Sequence, residues 1–232
     1  MKRIIFPVML ILTACQISTV SPQKQTAELA ASTQAKQEVV VNNLQKNTLI
    51  SSKGIGEAKL GMTLEELRQV SSQDTDFEIL PSFLEDIDAV AVSQKGIVQY
   101  YIIYDAESES ESSSDIPLEK RTITTLITDN SRYQTKQGVK AGIPIKDAED
   151  IYGNAVLAYN TQGQSGEYIT FGDRSPENIK FRATYFKLIS DGLGYSGIYP
   201  EYPGVSYTTD KYRNDAAIAA IEVSCDLDEC GR

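Results

Sequence analysis

Two cysteines near the C-terminus are the first residues whose type and spacing suggest chemistry. Cys225 and Cys230 are separated by four residues, three of them acidic, in the segment CDLDEC. Catalytic dithiols are usually spaced by two residues at the start of a helix, where the reactive thiolate is stabilised, and acidic neighbours disfavour that thiolate. A tetrahedral metal site would need a second pair of ligands. We therefore predict a short structural disulfide, formed in an oxidising compartment, and no metal.

The third cysteine follows a segment typical of a bacterial lipoprotein signal peptide. Residues 1–15 read MKRIIFPVMLILTAC, in which two basic residues precede an apolar run too short to span a bilayer as a mature helix. The residues from Leu12 to Cys15 match the lipobox. This motif predicts that residues 1–14 are removed and that Cys15 carries acyl chains such as palmitate. An ordinary secretory peptide with a chance cysteine is the alternative.

A lipid on Cys15 would also set the compartment. The next residue is Gln16 rather than Asp, which in a Gram-negative cell favours the outer membrane. Loss of Lys2 and Arg3 would change the formal net charge from −10 to −12, so anionic headgroups should repel the protein surface. Two or three acyl chains bury enough CH2 groups for stable anchoring. We expect a lipid-anchored protein on the periplasmic face of the outer membrane.

Composition excludes several classes of function. The sequence contains no histidine, which excludes Ser-His-Asp and Cys-His nucleophile systems and histidine-ligated zinc. Its 32 acidic residues outnumber 22 basic ones, whereas a nucleic-acid partner needs a basic surface. We expect no cofactor and no nucleic-acid partner.

Carboxylates leave one enzymatic alternative open. Paired acids can hydrolyse glycosidic bonds, and Glu167, Asp173 and Glu177 are candidates that the sequence does not separate from ordinary surface acids. The acidic run at residues 105–115, DAESESESSSD, lacks the glycine of a calcium-binding loop. We interpret it as a solvated loop.

Five tyrosines are concentrated in residues 192–212, among glycines and prolines. Tyrosine combines a large contact area, a low entropic cost and a polar tip, so this composition is typical of recognition surfaces. A long connection whose rings pack over the sheet is the alternative. The candidate partner-binding residues are Tyr195, Tyr199, Tyr202, Tyr207 and Tyr212.

Alternating and apolar segments indicate that a mostly antiparallel sheet positions these side chains. Residues 15–46 are predicted to be the lipidated cysteine and a flexible polar tether, followed by two halves at 47–130 and 131–232 that could form one unit. Because the strands are mostly consecutive, we predict an α+β fold, an antiparallel sheet with short helices. Strands are predicted at 88–93, 96–104, 122–129, 167–171, 179–187 and 217–224.

Two short helices are predicted, and their sequences overlay at a constant offset of 81 residues, from Gly61 to Gly142. The first begins at Thr63, which forms a capping-box pattern with Glu66. The second has Pro144 in its first turn and ends near Gly153. The predicted apolar faces are Leu64, Leu67 and Val70 in one helix and Ile145, Ala148 and Ile151 in the other. The overlay predicts a diverged tandem duplication of a helix-plus-sheet unit, with chance similarity as the alternative.

The segment from Gly61 to Glu66, GMTLEE, resembles the helix start of small envelope proteins of the OmlA/BamE type. The same motif occurs in the tandem-repeat fold of the β-lactamase inhibitor protein. A wider stretch is similar to a family of enterobacterial envelope-stress-regulated lipoproteins of unknown function. The matching segments are KGIGE at 53–57, ITTLITDN at 123–130 with Thr135, GVKAGIP at 138–144 and DIYGN at 150–154. The resemblance implies an envelope location and a fold, and it supplies no catalytic residues.

These observations together favour a binding function. We expect a lipid-anchored periplasmic protein that binds another envelope protein or a cell-wall component without catalysing a reaction. One alternative is a periplasmic inhibitor of a hydrolase, which the tandem-repeat resemblance permits. Another is a carboxylate-based cell-wall hydrolase. A binder would present an exposed apolar-aromatic patch, whereas a hydrolase would have a deep cleft with two facing acids.

Overall fold

Mostly antiparallel strands and two short helices form the described part of the chain, which confirms the predicted α+β class. The computed structural model describes residues 47–84, 87–104, 116–162, 166–172, 174–183, 194–201, 204–226 and 230. All of them belong to one compact unit, Leu44–Arg232. The predicted signal peptide and tether, including Cys15, lie outside the described residues, as does the acidic run at 105–115. Within these described ranges, no helix is both long and apolar enough to cross a membrane.

The helices are α1 (Leu64–Val70) and α2 (Ile145–Tyr152), and residues Leu118–Lys120 form a 3₁₀ turn. The strands are β1 (Leu49–Ser51), β2 (Gly54–Ile55), β3 (Ala58–Lys59), β4 (Thr75–Leu84), β5 (Ile87–Gln94), β6 (Ile97–Tyr104), β7 (Thr125–Thr128), β8 (Gln134–Thr135), β9 (Val156–Asn160), β10 (Tyr168–Thr170), β11 (Ile179–Arg182), β12 (Ser206–Thr209) and β13 (Ala220–Ser224).

These strands form a large sheet and a small one. The large sheet has the order β12-β9-β10-β11-β13-β7-β6-β5-β4, and the small sheet has the order β3-β2-β1-β8. After α1, strands β4 to β7 run from one edge of the large sheet to its centre. After α2, strands β9, β10, β11 and β13 approach the centre from the other side, and β13 pairs antiparallel with β7. Each helix therefore precedes a run of strands that ends at the middle of the sheet.

One face of the large sheet carries the main core. Leu126, Phe181 and Ile221 lie on this face, as the strand register shows, and all three are buried. Leu67 of α1 and Ala148 of α2 belong to the same buried cluster. Both helices are too short to be stable alone, so their burial against the sheet holds them in place.

The predicted helix ends are largely confirmed. The Thr63 hydroxyl accepts a hydrogen bond from the Glu66 backbone N–H, and the Glu66 carboxylate accepts one from the Thr63 backbone N–H. Gly153 ends α2 with a φ of 96°, which favours glycine. Pro144 is the N-cap of α2 and not, as predicted, part of its first turn.

The predicted apolar faces of the helices hold with one exception. Leu64, Leu67, Ile145 and Ala148 are fully buried, and Ile151 packs half-buried against the core. Val70 is 57% exposed, so the prediction that it faces the core is wrong. Helix α1 ends at this residue, and its last side chain lies beyond the contact with the sheet.

Each predicted strand has a counterpart, but several ends differ. Residues 122–124 and 217–219 precede β7 and β13 and instead bridge to the helix starts, through the pairs Thr63–Thr122 and Pro144–Ala217. Strand β4 is absent from the predicted strands because Pro81 and the left-handed Ser82 (φ 51°) interrupt its alternation. Strands β1, β2, β3 and β8 contain two or three residues, too few to show a period. The sequences of β9 and β12 are short and combine apolar with polar residues, so on their own they do not predict strands.

The two helix starts share one hydrogen-bond pattern. In each, a glycine N–H donates to a residue just before a central strand, and that residue donates back to the residue after the glycine. The two sets are Gly61, Ile123 and Met62, and Gly142, Ile218 and Ile143. Both glycines are left-handed, with φ of 88° and 85°. The tandem duplication of the whole unit stays a prediction.

Candidate functional site

Four tyrosine rings lie together at one edge of the large sheet, and we call Tyr159, Tyr195, Tyr199 and Tyr207 the tyrosine cluster. Tyr159 of β9 is directly opposite Tyr207 of β12, and their rings are stacked with centroids 4.8 Å apart. The Tyr195 ring also stacks on Tyr159, at 3.9 Å. If the rings of Tyr195 and Tyr207 stacked on the same face of the Tyr159 ring at these distances, they would overlap each other. They therefore lie on opposite faces of the Tyr159 ring. Tyr199 packs edge-on to Tyr159 at 4.7 Å.

The cluster combines predicted and unpredicted residues. Tyr195, Tyr199 and Tyr207 were predicted from composition, whereas Tyr159 was missed because it lies far away in sequence, on β9. No local signal identifies Tyr159, because it reaches the cluster only through the pairing of β9 with β12, where it stabilises the sheet as a cross-strand aromatic pair with Tyr207. Tyr212 lies apart and packs against the main core. Tyr202 is outside the described residues.

The hydroxyl groups of Tyr199, Tyr207 and Tyr212 are bonded to the protein itself. The Tyr199 hydroxyl donates to the Glu167 carboxylate at 2.8 Å, and the Tyr207 hydroxyl donates to the Gly204 carbonyl at 2.9 Å. Tyr212 donates to the Glu149 carboxylate at 2.8 Å. Burial, followed by the bond to Glu167, raises the pKa of Tyr199 well above its usual value. Burial and the bond to Glu149 raise the pKa of Tyr212 to about 12, so both phenols stay protonated at neutral pH.

Glu167 organises the loop that carries two of the rings. This carboxylate is fully buried and accepts hydrogen bonds from the backbone N–H groups of Ser196 and Gly197, both at 2.7 Å. The Ser196 hydroxyl donates to the Ala183 carbonyl at 3.0 Å. A Cβ on Gly197 would lie 2.7 Å from the Tyr199 ring, so only glycine permits this close approach. A buried carboxylate satisfied by several donors is a structural anchor.

The three acids considered for hydrolysis are not brought together as a described pair. Glu167 is buried beneath the tyrosine loop, and Glu177 is exposed on the connection before β11. Asp173 lies outside the described residues. Another buried carboxylate, Glu222, is paired with Arg182 at 2.6 Å, which ties β13 to β11.

Two exposed apolar side chains lie on the segments that carry the tyrosine cluster. All four rings are half-buried, and the side chains of Ile198 and Val205 are 55% and 42% exposed. Val205 accepts a backbone hydrogen bond from Thr161 and Ile198 donates one to Lys211, so both lie on ordered backbone. Contiguous exposed apolar patches mark interaction sites in soluble proteins.

The predicted disulfide joins Cys225 and Cys230, with Cα atoms 6.0 Å apart, inside the usual range. The backbone N–H of Cys225 donates to the Thr124 carbonyl, which attaches the disulfide loop to the segment before β7. At the other end, the Cys230 carbonyl lies so close to Gly61 that a Cβ there would come within 2.3 Å of it. Cys230 therefore covers the turn before α1. Among the described residues, no group of three or more acidic or sulfur ligands could hold a metal.

Comparisons with known proteins place the chain near one solved structure. No protein-family model matches the chain, and no curated protein matches it. The crystal structure of the uncharacterized protein yfeY from Escherichia coli is similar over 77% of this chain and 100% of its own, with 15% identity and a TM-score of 0.44. A likeness at this level carries no information about function.

Proposed function

We propose that this protein is a lipid-anchored periplasmic module that binds another envelope protein through the tyrosine cluster and catalyses no reaction. The observation that carries the proposal is the stacked set of Tyr195, Tyr159 and Tyr207, half-exposed beside Ile198 and Val205. Tyrosine is enriched in the centres of protein interfaces, where a few aromatic residues supply most of the binding energy.

The cluster is pre-organised for such a contact. Tyr199 and Tyr207 are held by hydrogen bonds to Glu167 and Gly204, so few side-chain rotamers remain to be lost on binding. Immobilising a flexible side chain at an interface costs about 0.5–1.5 kcal/mol. Because the hydroxyls of Tyr199 and Tyr207 are already bonded within the protein, these two residues offer mainly ring edges and faces. This favours a partner with apolar side chains.

The second part of the proposal is the location of the protein at the membrane. The lipobox that ends at Cys15 and the polar residues after it support a lipid anchor with a tether. The formal charge of −10 argues against attachment through the protein surface, because anionic headgroups would repel it. The anchor would hold the tyrosine cluster within reach of envelope proteins.

The proposal is tested by crosslinking in intact envelopes, followed by purification of the tagged full chain. We expect a discrete protein adduct that disappears in the Tyr195→Ala/Tyr207→Ala double variant. The matched control is Tyr101→Ala, which truncates a half-buried tyrosine on the opposite face of the large sheet, beside Phe83. The control should retain the adduct.

Two outcomes would contradict the proposal. Equal loss of the adduct in the double variant and in the control would show that the tyrosine cluster has no special role. Capture of glycan fragments without any protein adduct would replace a protein partner by a carbohydrate. Thermal unfolding of each variant, followed by circular dichroism, separates loss of binding from loss of folding.

A further inference from the structure

A cleft of about 620 Å³ lies beside the turn before α2, away from the roles assigned above. Its floor consists of backbone and small side chains, and its charged residues are Asp129, Arg213 and Asp215. Ser196 connects it to the tyrosine loop, since Ser196 lines the cleft and its backbone N–H binds Glu167. A cleft of this size lies within the range of about 300–1,000 Å³ for ligand sites.

The turn before α1 is equivalent to the turn beside the cleft, and another part of the chain covers it. Gly61 and Gly142 begin the two hydrogen-bonded turns described above, with nearly equal φ. Next to Gly61, Cys230 is packed so closely that a Cβ would touch its carbonyl oxygen. Next to Gly142, which lines the cleft, a Cβ would have no atom of the described residues within 4 Å. In the described part of the chain, Cys230 covers one turn and nothing covers the other.

The charges of the cleft indicate which kind of segment fits. Asp129 follows directly after β7 and is half-buried, and within the described part of the chain no hydrogen bond or ion pair engages its carboxylate. Arg213 and Asp215 form an exposed ion pair with Nε and Oδ1 3.4 Å apart, so they largely offset each other. The net charge that faces a ligand is therefore negative. A half-buried carboxylate without a partner is best satisfied by a charged donor.

We propose that the cleft binds an extended polypeptide segment of a partner, with one lysine or arginine side chain bonded to Asp129. The segment would lie over the Gly142 turn as Cys230 lies over the Gly61 turn. This site is independent of the tyrosine cluster, and neither proposal requires the other.

The test measures binding of a labelled, end-capped heptapeptide of six alanines with a central lysine to the full chain in detergent, by fluorescence anisotropy. The matched peptide has norleucine in place of lysine. We expect binding of the lysine peptide only, and a Kd raised about tenfold or more by Asp129→Asn, which removes a charge-assisted hydrogen bond. Ser131→Arg, at an exposed position of the cleft rim, should have the same effect by placing a cation beside Asp129. Asp210→Asn is the control, because Asp210 is exposed and lies outside the cleft lining.

Several results would overturn the inference. These are equal binding of the two peptides, equal effects of Asp129→Asn and Asp210→Asn, or no binding at all. Competition by cadaverine as strong as by the lysine peptide would indicate a small-amine site instead of a site for a polypeptide. The Tyr195→Ala/Tyr207→Ala variant should bind the peptide with unchanged Kd, so failure of one proposal is distinguishable from failure of the other.

Discussion

Single residues in this protein act mainly by holding backbone in place. Glu167 was considered as a catalytic acid from sequence, yet its carboxylate receives the N–H groups of Ser196 and Gly197 and the hydroxyl of Tyr199. These bonds arrange the loop that carries half of the tyrosine cluster. A carboxylate that receives so many donors stabilises its surroundings, since hydrogen bonds to charged groups contribute about 1.5–3 kcal/mol each.

The two equivalent glycines give a matched prediction at this scale. Gly61→Ala and Gly142→Ala both place a Cβ on left-handed backbone, which costs about 1–2 kcal/mol. Only Gly61→Ala also forces the Cys230 carbonyl away, because the new Cβ would lie 2.3 Å from it. We expect a clearly larger loss of unfolding free energy for Gly61→Ala, measured by urea denaturation. Equal losses would mean that Cys230 does not pack on this turn.

The short helices depend on the sheet for their stability. Helix α1 has a capping box, but its seven residues form less than the length at which isolated helices persist in water. Burial of its apolar side chains against the sheet supplies the stability that the isolated helix lacks. The same dependence explains why the predicted apolar faces fail only at Val70, where α1 ends beyond its contact with the sheet.

Leu67 and Val70 test this dependence within one helix. Leu67→Ala should lower the free energy of unfolding by about 2–4 kcal/mol, because it removes a fully buried side chain and leaves a cavity. Val70→Ala removes a side chain that is 57% exposed and should change stability by less than about 0.5 kcal/mol. Denaturant unfolding of both variants measures the difference. A similar cost for the two substitutions would contradict the observed packing.

At the scale of the whole molecule, two surfaces and one predicted anchor define what the protein can contact. The tyrosine cluster lies at the β12 edge of the large sheet, and the cleft lies beside the turn before α2. Ser196 borders both, so two segments of one partner could occupy them together. The two proposals can nevertheless fail separately, because they rest on different side chains.

Lipid attachment at Cys15 predicts where the whole protein is found after cell fractionation. Cys15→Ser removes the sulfur that would carry the lipid, so we expect the protein to move from the membrane fraction to the soluble periplasmic fraction. Its thermal unfolding should be unchanged, since Cys15 precedes the described unit. Fractionation with a high-salt wash and immunoblotting measures this, and Cys225→Ser/Cys230→Ser is the control that keeps Cys15. A variant still bound to membranes after the wash would exclude lipid attachment as the anchor.

The sequence by itself determined the features that depend on neighbours along the chain. The capping box of Thr63 and Glu66, the stop at Gly153, the disulfide of Cys225 with Cys230 and six of the thirteen described strands were predicted, because their physics acts over a few residues. The tertiary structure alone decided which distant residues meet. Tyr159 joins the cluster only because β9 pairs with β12, and Glu167 becomes an anchor only because the tyrosine loop folds over it. The open turn at Gly142 differs from the covered turn at Gly61 for the same reason, since strand pairing and chain packing lie outside any local pattern.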